Sequence, residues 1–252
     1  SPIELVKPFL IIFISLILTN QILSNNLIKY SFSFIVTFSI AILLIIQPDI
    51  GQTILILGSW LILVFTSGVS LLNLSIIFLP IVSIFFYLIF FISKFEYIKN
   101  RILSFLDPAS GTYNFQSDKA LESITSGGFF GKGIGEGILK NKVPEAHTDY
   151  IISVISEEFG VVAIILILFL FLIFIYSIFK KVYLLKEEKS KLVLVGCTSL
   201  ILMQAMIHIG VNIRLFPTTG MTLPFISYGG SSIISVSILS GIILNLTKRR
   251  LV

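Results

Sequence analysis

Apolar residues gather into seven long runs along the chain, at positions 3–23, 31–46, 51–65, 70–93, 149–179, 192–212 and 225–246. A bilayer core of about 30 Å is crossed by roughly 20 apolar residues in a helix, so each run reads as a membrane span. The second and third runs are short and meet at Gln47-Pro48-Asp49. Pro48 disfavours a helical Gln47, which predicts a tight polar turn rather than one long helix. A single long interval, 94–148, stands outside the pattern. Loops beyond about 12–15 residues are usually functional or disordered. This one carries Phe105, Tyr113, Phe115, Phe129 and Phe130, too many aromatics for disorder, and is expected to fold back on the helices. No internal repeat is visible. The expected fold class is all-α, a polytopic transmembrane helical bundle of about seven spans forming one domain over 1–252, with 94–148 as a large extracytoplasmic loop.

Composition agrees with the pattern: 56% of the 252 residues are hydrophobic and 12% charged, against about 25% charged in soluble domains. The net charge of +5 does not point to nucleic acid, because long apolar runs separate the cations and leave no continuous basic groove. The lone Cys197 cannot form an internal disulfide and reads as a packing residue. Glu4 and Lys7 lead into the first run with no cleavage site after it, unlike a secretory signal.

Charge does set an orientation. The short loop with Lys180, Lys181, Lys186, Lys189 and Lys191, and the tail Lys248-Arg249-Arg250, should both face the cytoplasm. Counting back puts Lys29 inside, and Asp49 and the 94–148 loop outside. The first span then starts outside, which is explained economically if earlier spans precede this chain.

Three stretches could carry chemistry. Pro144-Glu145-Ala146-His147-Thr148-Asp149 stands directly before a span. On a continuous helix Ser153, Ser156 and Glu157 share the face of Asp149, with Glu157 roughly 12 Å further along. Carboxylates at such depth usually face a cavity or the bundle interior. Thr148 or Asp149 could equally just cap the helix. The second stretch runs from Phe216 to Ser232 and holds Pro217, Gly220, Pro224, Gly229 and Gly230. It implies ordered, non-helical backbone, tolerated near a membrane only when buried or lining a cavity. A packing device of small residues is the alternative. The third, Ser126 to Gly137, is glycine-rich but lacks the Gly-Lys-Ser/Thr ending of a phosphate loop, and a surface turn explains it as well. Lys132, Lys140, Lys142 and Arg214 fall on the outer side, where they could hold a diphosphate or merely be solvated. His208, with Gln204 four residues before it, reads as a hydrogen-bonded interior residue. With only His147 and His208 present, a zinc site is not expected.

These stretches together resemble the FtsW/RodA/SpoVE family, the SEDS glycosyltransferases. Ser1-Pro2-Ile3-Glu4-Leu5-Val6-Lys7 is similar to the Pro-Ser-Glu-x-x-Lys segment that opens the family's fourth span. Gln47-Pro48-Asp49-Ile50-Gly51 resembles its Gln-Pro-Asp-x-Gly turn, and Arg101 to Pro108 its Arg-Ile-x-x-Phe-x-x-Pro. Pro144 to Asp149 resembles its Pro-Glu-x-His-Thr-Asp, and Glu157-Glu158-Phe159-Gly160 its Glu-Glu-x-Gly. Pro217 to Ser232 matches its most recognisable signature. Each motif is weak singly, but their order and spacing are specific. The family has ten spans and this chain resembles the last seven. Gly133 to Gly137 and Thr219 to Pro224 look closest to the division-type branch in its alphaproteobacterial form. Two departures stand out: many division-type members have Lys where this chain has Thr219, and Arg214 falls in a stretch that is usually less charged.

The resemblance implies a peptidoglycan glycosyltransferase that polymerises lipid II, the undecaprenyl-diphosphate-linked disaccharide peptide, with inversion at the donor sugar. The family's catalytic Asp corresponds to Asp149. The substrate-binding residues it implies are Arg101, Lys132, Lys140, Lys142, Glu145, His147, Thr148, Arg214, Pro217, Thr218, Gly220, Ser227, Tyr228, Gly229, Gly230 and Ser231. A divalent cation, Mg or Mn, is a candidate cofactor with unknown ligands. The implied partners are a class B penicillin-binding protein transpeptidase, other cell-division membrane proteins and membrane lipid, in the bacterial inner membrane at the division septum. A lipid II flippase, an elongation polymerase of the RodA type and a non-catalytic division scaffold remain the alternatives. Intramembrane Glu157 and Glu158 and broken helices would suit a transporter too.

Overall fold

The computed structural model describes the chain except residues 24, 71, 73–74, 76–78, 80–82, 84–85, 88, 93–94, 107–114, 139–142 and 249–252. Most of the fourth apolar run, Asp107-Pro108, Lys140, Lys142 and Arg249-Arg250 therefore lie outside the described residues. Among the described residues the structure is helical, with no strand.

Pro2 opens α1 (Pro2–Thr19) in the first turn, where its missing N–H is not needed. Asn25 caps α2 (Asn26–Ile46) by accepting from the Leu27 amide at 2.9 Å. The expected turn at Gln47-Pro48 follows, and Asp49 caps α3 (Ile50–Thr66) by accepting from Gln52 N at 3.1 Å. α1 packs on α2, α3 and the last helix, α8 (Gly230–Thr247). Several polar groups buried here are paired with one another. Lys7 Nζ lies 2.7 Å from a Glu4 carboxylate oxygen, the Gln52 amide donates to the other at 2.6 Å, and Trp60 Nε1 donates to Ser33 Oγ at 3.1 Å.

The chain divides into two compact units. The first comprises Ser1–Phe95, Tyr176–Met203 and Gly230–Val252, and the second Glu96–Ile175 and Gln204–Gly229. The second holds α4 (Glu96–Leu106) and α5 (Phe115–Gly127), both from the long interval that interrupts the apolar pattern. Two long helices, α6 (Ile151–Val182) and α7 (Glu188–Asn212), contribute to both units.

Among the described residues five helices, α1, α2, α6, α7 and α8, are long and apolar enough to cross a membrane, and α3 is a shorter apolar helix. The protein is a polytopic transmembrane helical bundle. Several element ends differ from expectation. The last helix begins at Gly230 rather than at 225, because residues 225–229 belong to the preceding loop, where Phe225 has φ 70°. The first ends at Thr19 rather than 23, where Asn20 turns extended and its side chain accepts from Ile22 N at 2.9 Å. α6 is not continuous: Gly160, at φ 76° and ψ −176°, breaks it.

Candidate functional site

The turn that leads into α6 is built on Glu145, whose φ of 54° lies in the left-handed region that non-glycine residues rarely occupy. That geometry lets one carbonyl, Glu145 O, accept from Thr148 N at 3.1 Å, Asp149 N at 3.0 Å and Tyr150 N at 3.3 Å. The Glu145 carboxylate accepts from Thr148 Oγ1 at 3.0 Å. Asp149 is held on this turn, one residue before Tyr150 and two before the helix starts.

The end of α7 and the loop after it grip the same turn from another side. Ser227 Oγ donates to Thr148 O at 2.7 Å, Tyr228 N donates to His147 O at 3.0 Å, and Asn212 Nδ2 donates to Asp149 O at 3.0 Å. Three consecutive carbonyls, 147 to 149, are thus fixed by groups distant in sequence. The loop is itself held by one face of α7. Gln204 Nε2 donates to Thr222 O at 3.0 Å, and His208 Nδ1 lies 2.7 Å from Met221 O. A carbonyl only accepts, so Nδ1 bears the proton of His208. Leu223 N donates to Ser227 Oγ at 2.8 Å. Gly220, at φ 66°, brings the loop against the acid: a Cβ there would stand 3.5 Å from Asp149 Oδ2. Beside the turn is a cleft of about 420 Å³ lined by His147, Ile151, Ile226 and Tyr228.

Asp149 is half-buried, and its acidity responds. Burial first, and the nearby Glu145 carboxylate second, push it up to about 6, against a smaller opposing effect of the Thr148 hydroxyl. Such a carboxylate is ionised at neutral pH yet more basic than an ordinary one, the balance a general base requires.

The remaining expected site residues are distributed as follows. Arg101 Nη1 donates to Thr218 O at 3.2 Å, which ties this cation to the loop carrying Gly220. Arg214 pairs with Asp118 of α5. Lys132 Nζ lies 3.5 Å from Glu157 Oε1. Arg214 and Lys132 therefore each have a carboxylate partner already. Pro217, Thr218 and Gly220 lie on the loop, and Gly229 ends it. Gly230 and Ser231 belong to the start of α8 in the first unit, where Ser231 Oγ accepts from the Ser1 amino group at 3.2 Å. Ser153, Ser156 and Glu157 are fully buried and face α5 rather than a cavity. Ser123 Oγ is 3.3 Å from Ser153 O and 3.0 Å from Glu157 Oε2, and Ser156 Oγ is 3.4 Å from Ile124 O. Among the described residues no three or more His, Cys, Asp or Glu side chains gather as a metal site. Sequence reasoning missed Asn212 and Asp118. Asn212 was within reach, since 204, 208 and 212 recur every four residues on one helical face.

Comparison with known proteins agrees with this architecture. The family model for FtsW/RodA/SpoVE, described as a cell cycle protein, matches residues 1–251. The chain is 34% identical to the probable peptidoglycan glycosyltransferase FtsW of Caulobacter vibrioides, over 99% of this chain and 63% of the relative. It is 31% identical to the protein of the same name from Geobacter metallireducens, over 99% and 67%. It thus spans roughly two thirds or less of such relatives: for the Thiomicrospira cyclica FtsW, the share is 53%. Two solved structures share the fold over the whole of this chain. One is a chain of a peptidoglycan synthase complex that coordinates polymerization and crosslinking, at TM-score 0.75 and 24% identity over 70% of its length. The other is a mutant of the rod shape determining protein RodA of Thermus thermophilus, at TM-score 0.67 and 25% identity over 67%.

Proposed function

The chain belongs to the FtsW/RodA/SpoVE family, and from that premise we propose that it carries the catalytic part of a peptidoglycan glycosyltransferase acting in cell division. The substrate is lipid II, serving as both sugar donor and glycan acceptor. Asp149 is the general base. Its carboxylate takes the proton from the acceptor hydroxyl as that oxygen bonds to the donor's anomeric carbon. The bond from that carbon to the diphosphate breaks on the opposite face, the electron pair leaves with undecaprenyl diphosphate, and the configuration inverts.

The observation that carries this reading is the Asp149 turn itself: a half-buried carboxylate with its pKa raised to about 6, set against Gly220 on a turn whose His147 and Ile151 line a cleft of about 420 Å³. A helix cap has no need of a raised pKa, nor of a second chain segment anchoring carbonyls 147 to 149. The departing diphosphate needs cationic or hydrogen-bonding partners. Arg101, already bonded to the loop at Thr218, is the cation best suited to it. Lys132 and Arg214 would have to exchange Glu157 and Asp118 for the phosphate. The family position held by Lys in many division-type relatives is Thr219 here, so the charge has to come from elsewhere, and among the described residues Arg101 is the candidate. Partner and location follow from the same premise: a class B penicillin-binding protein crosslinks the strands, at the septum, with the 94–148 segment outside the cell and the C-terminus in the cytoplasm.

The test is Asp149→Asn in the full-length protein, assayed for polymerisation of lipid II with the transpeptidase present. Asn keeps the size and much of the capping ability but cannot accept a proton. Removing a general base typically costs 10²–10⁴-fold, so polymer should fall close to background while membrane insertion is normal. Polymerisation near the wild-type rate would refute Asp149 as the base and leave the cap reading standing.

A further inference from the structure

The glycine-rich stretch after α5 shows no phosphate-binding geometry. Its backbone instead mends the break in α6. Helix ends leave amides and carbonyls without partners, and the break at Gly160 creates both kinds in mid-helix. Gly128 O accepts from Val161 N at 3.0 Å and Phe129 O from Val162 N at 3.3 Å, serving the first amides after the break. Lys132 N donates to Glu157 O at 2.9 Å and Gly133 N to Glu158 O at 3.1 Å, serving the last carbonyls before it. Backbone approaches backbone so closely that a Cβ on Gly131 would overlap the Glu158 carbonyl, and one on Gly160 the Phe129 carbonyl.

The break also marks a level in the membrane. α6 has 32 residues, about 48 Å at 1.5 Å each, well beyond the hydrocarbon thickness of about 30 Å. Lys180-Lys181 close one end. Counting back roughly 20 residues from them reaches Gly160, and 161–179 contains no charge. Glu157 and Glu158 therefore lie past the hydrocarbon edge rather than deep within it. Above that edge, non-helical backbone can be hydrated; at it, backbone groups must be partnered, as they are here.

The loop's side chains are the informative part. Phe129 is 75% exposed and Phe130 86%, with Ile134 at 78%. The Phe129 carbonyl is bonded to Val162, and Val162, Ile165, Leu166, Phe169 and Ile173 form an exposed apolar stripe down α6. We propose that Phe129 and Phe130 are a membrane anchor, sitting in the lipid interface at the Gly160 end of α6 and fastening the loop there. Lipid is the occupant because the loop continues a charge-free, outward-facing surface of a spanning helix, and Phe side chains on interfacial segments bury themselves at the boundary of head groups and acyl chains. The anchor fixes the loop that holds Lys132 against Glu157, on the helix that begins at the Asp149 turn. This inference depends only on the transmembrane fold, not on the proposed activity.

A nitroxide label on Phe130→Cys, in the full-length protein reconstituted in phosphatidylcholine–phosphatidylglycerol vesicles, reads the environment directly. Cys197 is buried and should not label. Collision with oxygen, which partitions into lipid, should exceed collision with a water-soluble nickel chelate several-fold at 130. The charged, exposed Glu136 side of the loop, labelled through Glu136→Cys, should show the reverse. Ile134→Cys gives an independent reading should the Phe130 variant fold poorly. Dominant nickel access at both 130 and 134 overturns the anchor and leaves an aqueous loop. An immobile label shielded from both reagents overturns it in favour of a covering protein.

Discussion

At the scale of single residues, the pair Glu145 and Asp149 sets the acid limit of the proposed reaction. A base works only when ionised, and with Asp149 raised to about 6 activity should fall as pH drops through that value. Glu145 is the second cause of the rise, because its charge opposes a second negative charge. Glu145→Gln removes the charge and keeps an oxygen for the Thr148 hydroxyl. The ionised form of Asp149 is then favoured, so the acid limb of the pH–rate profile should move to lower pH. It should stop short of the ordinary value of 3.8, because burial, the larger cause, remains. An unmoved limb in a well-folded variant would mean that the limb belongs to another group. The sign also bears on folding: a raised carboxylate pKa means the ionised group is held at a cost in stability above about pH 6, a cost that suits a base and serves no cap. The place of Asp149 at the head of a span could be read from the apolar pattern, while its expected role as base came from the family resemblance. Asp118 was not legible, since an ion pair with the distant Arg214 leaves no local pattern; Asn212 shares the four-residue spacing of Gln204 and His208, but nothing local shows that it reaches the Asp149 carbonyl.

At the scale of elements, the apolar runs other than the fourth, which lies mostly outside the described residues, gave the helices within a few residues, while the break in α6 stayed hidden. A single glycine in a helical pattern is ordinarily tolerated, and nothing local distinguishes Gly160 from Gly241 in α8. The structure does. Gly160 sits at φ 76° and ψ −176° against the Phe129 carbonyl, whereas a Cβ at Gly241 meets nothing within 4 Å. That backbone region is essentially closed to other residues, at about 1–3 kcal/mol each, and the overlap with Phe129 adds to it. Gly160→Ala should therefore lower the melting temperature in detergent and open the 128–137 loop to protease. Gly241→Ala should be neutral or slightly stabilising, since alanine is the better helix former. Equal behaviour of the two variants would mean that the loop does not depend on the break. The buried face of Ser153, Ser156 and Glu157 was readable from spacing, but its partner α5 was not, because two amphipathic segments show their periodicity without showing which one they meet.

At the scale of the whole molecule, the expected orientation rests on cations gathered at two places: the link between α6 and α7, and the tail after α8. Lys180 lies over the Tyr176 ring at 4.5 Å, an aromatic–cation pair at the end of a span that fits a membrane boundary. In the proposed orientation the Asp149 turn lies outside, because α6 connects that turn to Lys180-Lys181 in one crossing. Orientation decides chemistry here, since glycan strands are assembled outside the cell and a cytoplasmic Asp149 could not reach them. Single cysteines can test it, as the only native one in this chain, Cys197, is buried. Glu136→Cys in the glycine-rich loop should react with a membrane-impermeant maleimide added to intact spheroplasts of cells expressing the full-length protein. Glu188→Cys, at the start of α7 and 73% exposed at its side chain, should react only after permeabilisation. Both positions are charged and surface-exposed in the structure, so failure to react reflects the side of the membrane rather than burial. Labelling of Glu188→Cys from outside, with Glu136→Cys protected, would reverse the topology and remove the basis for polymerisation at Asp149.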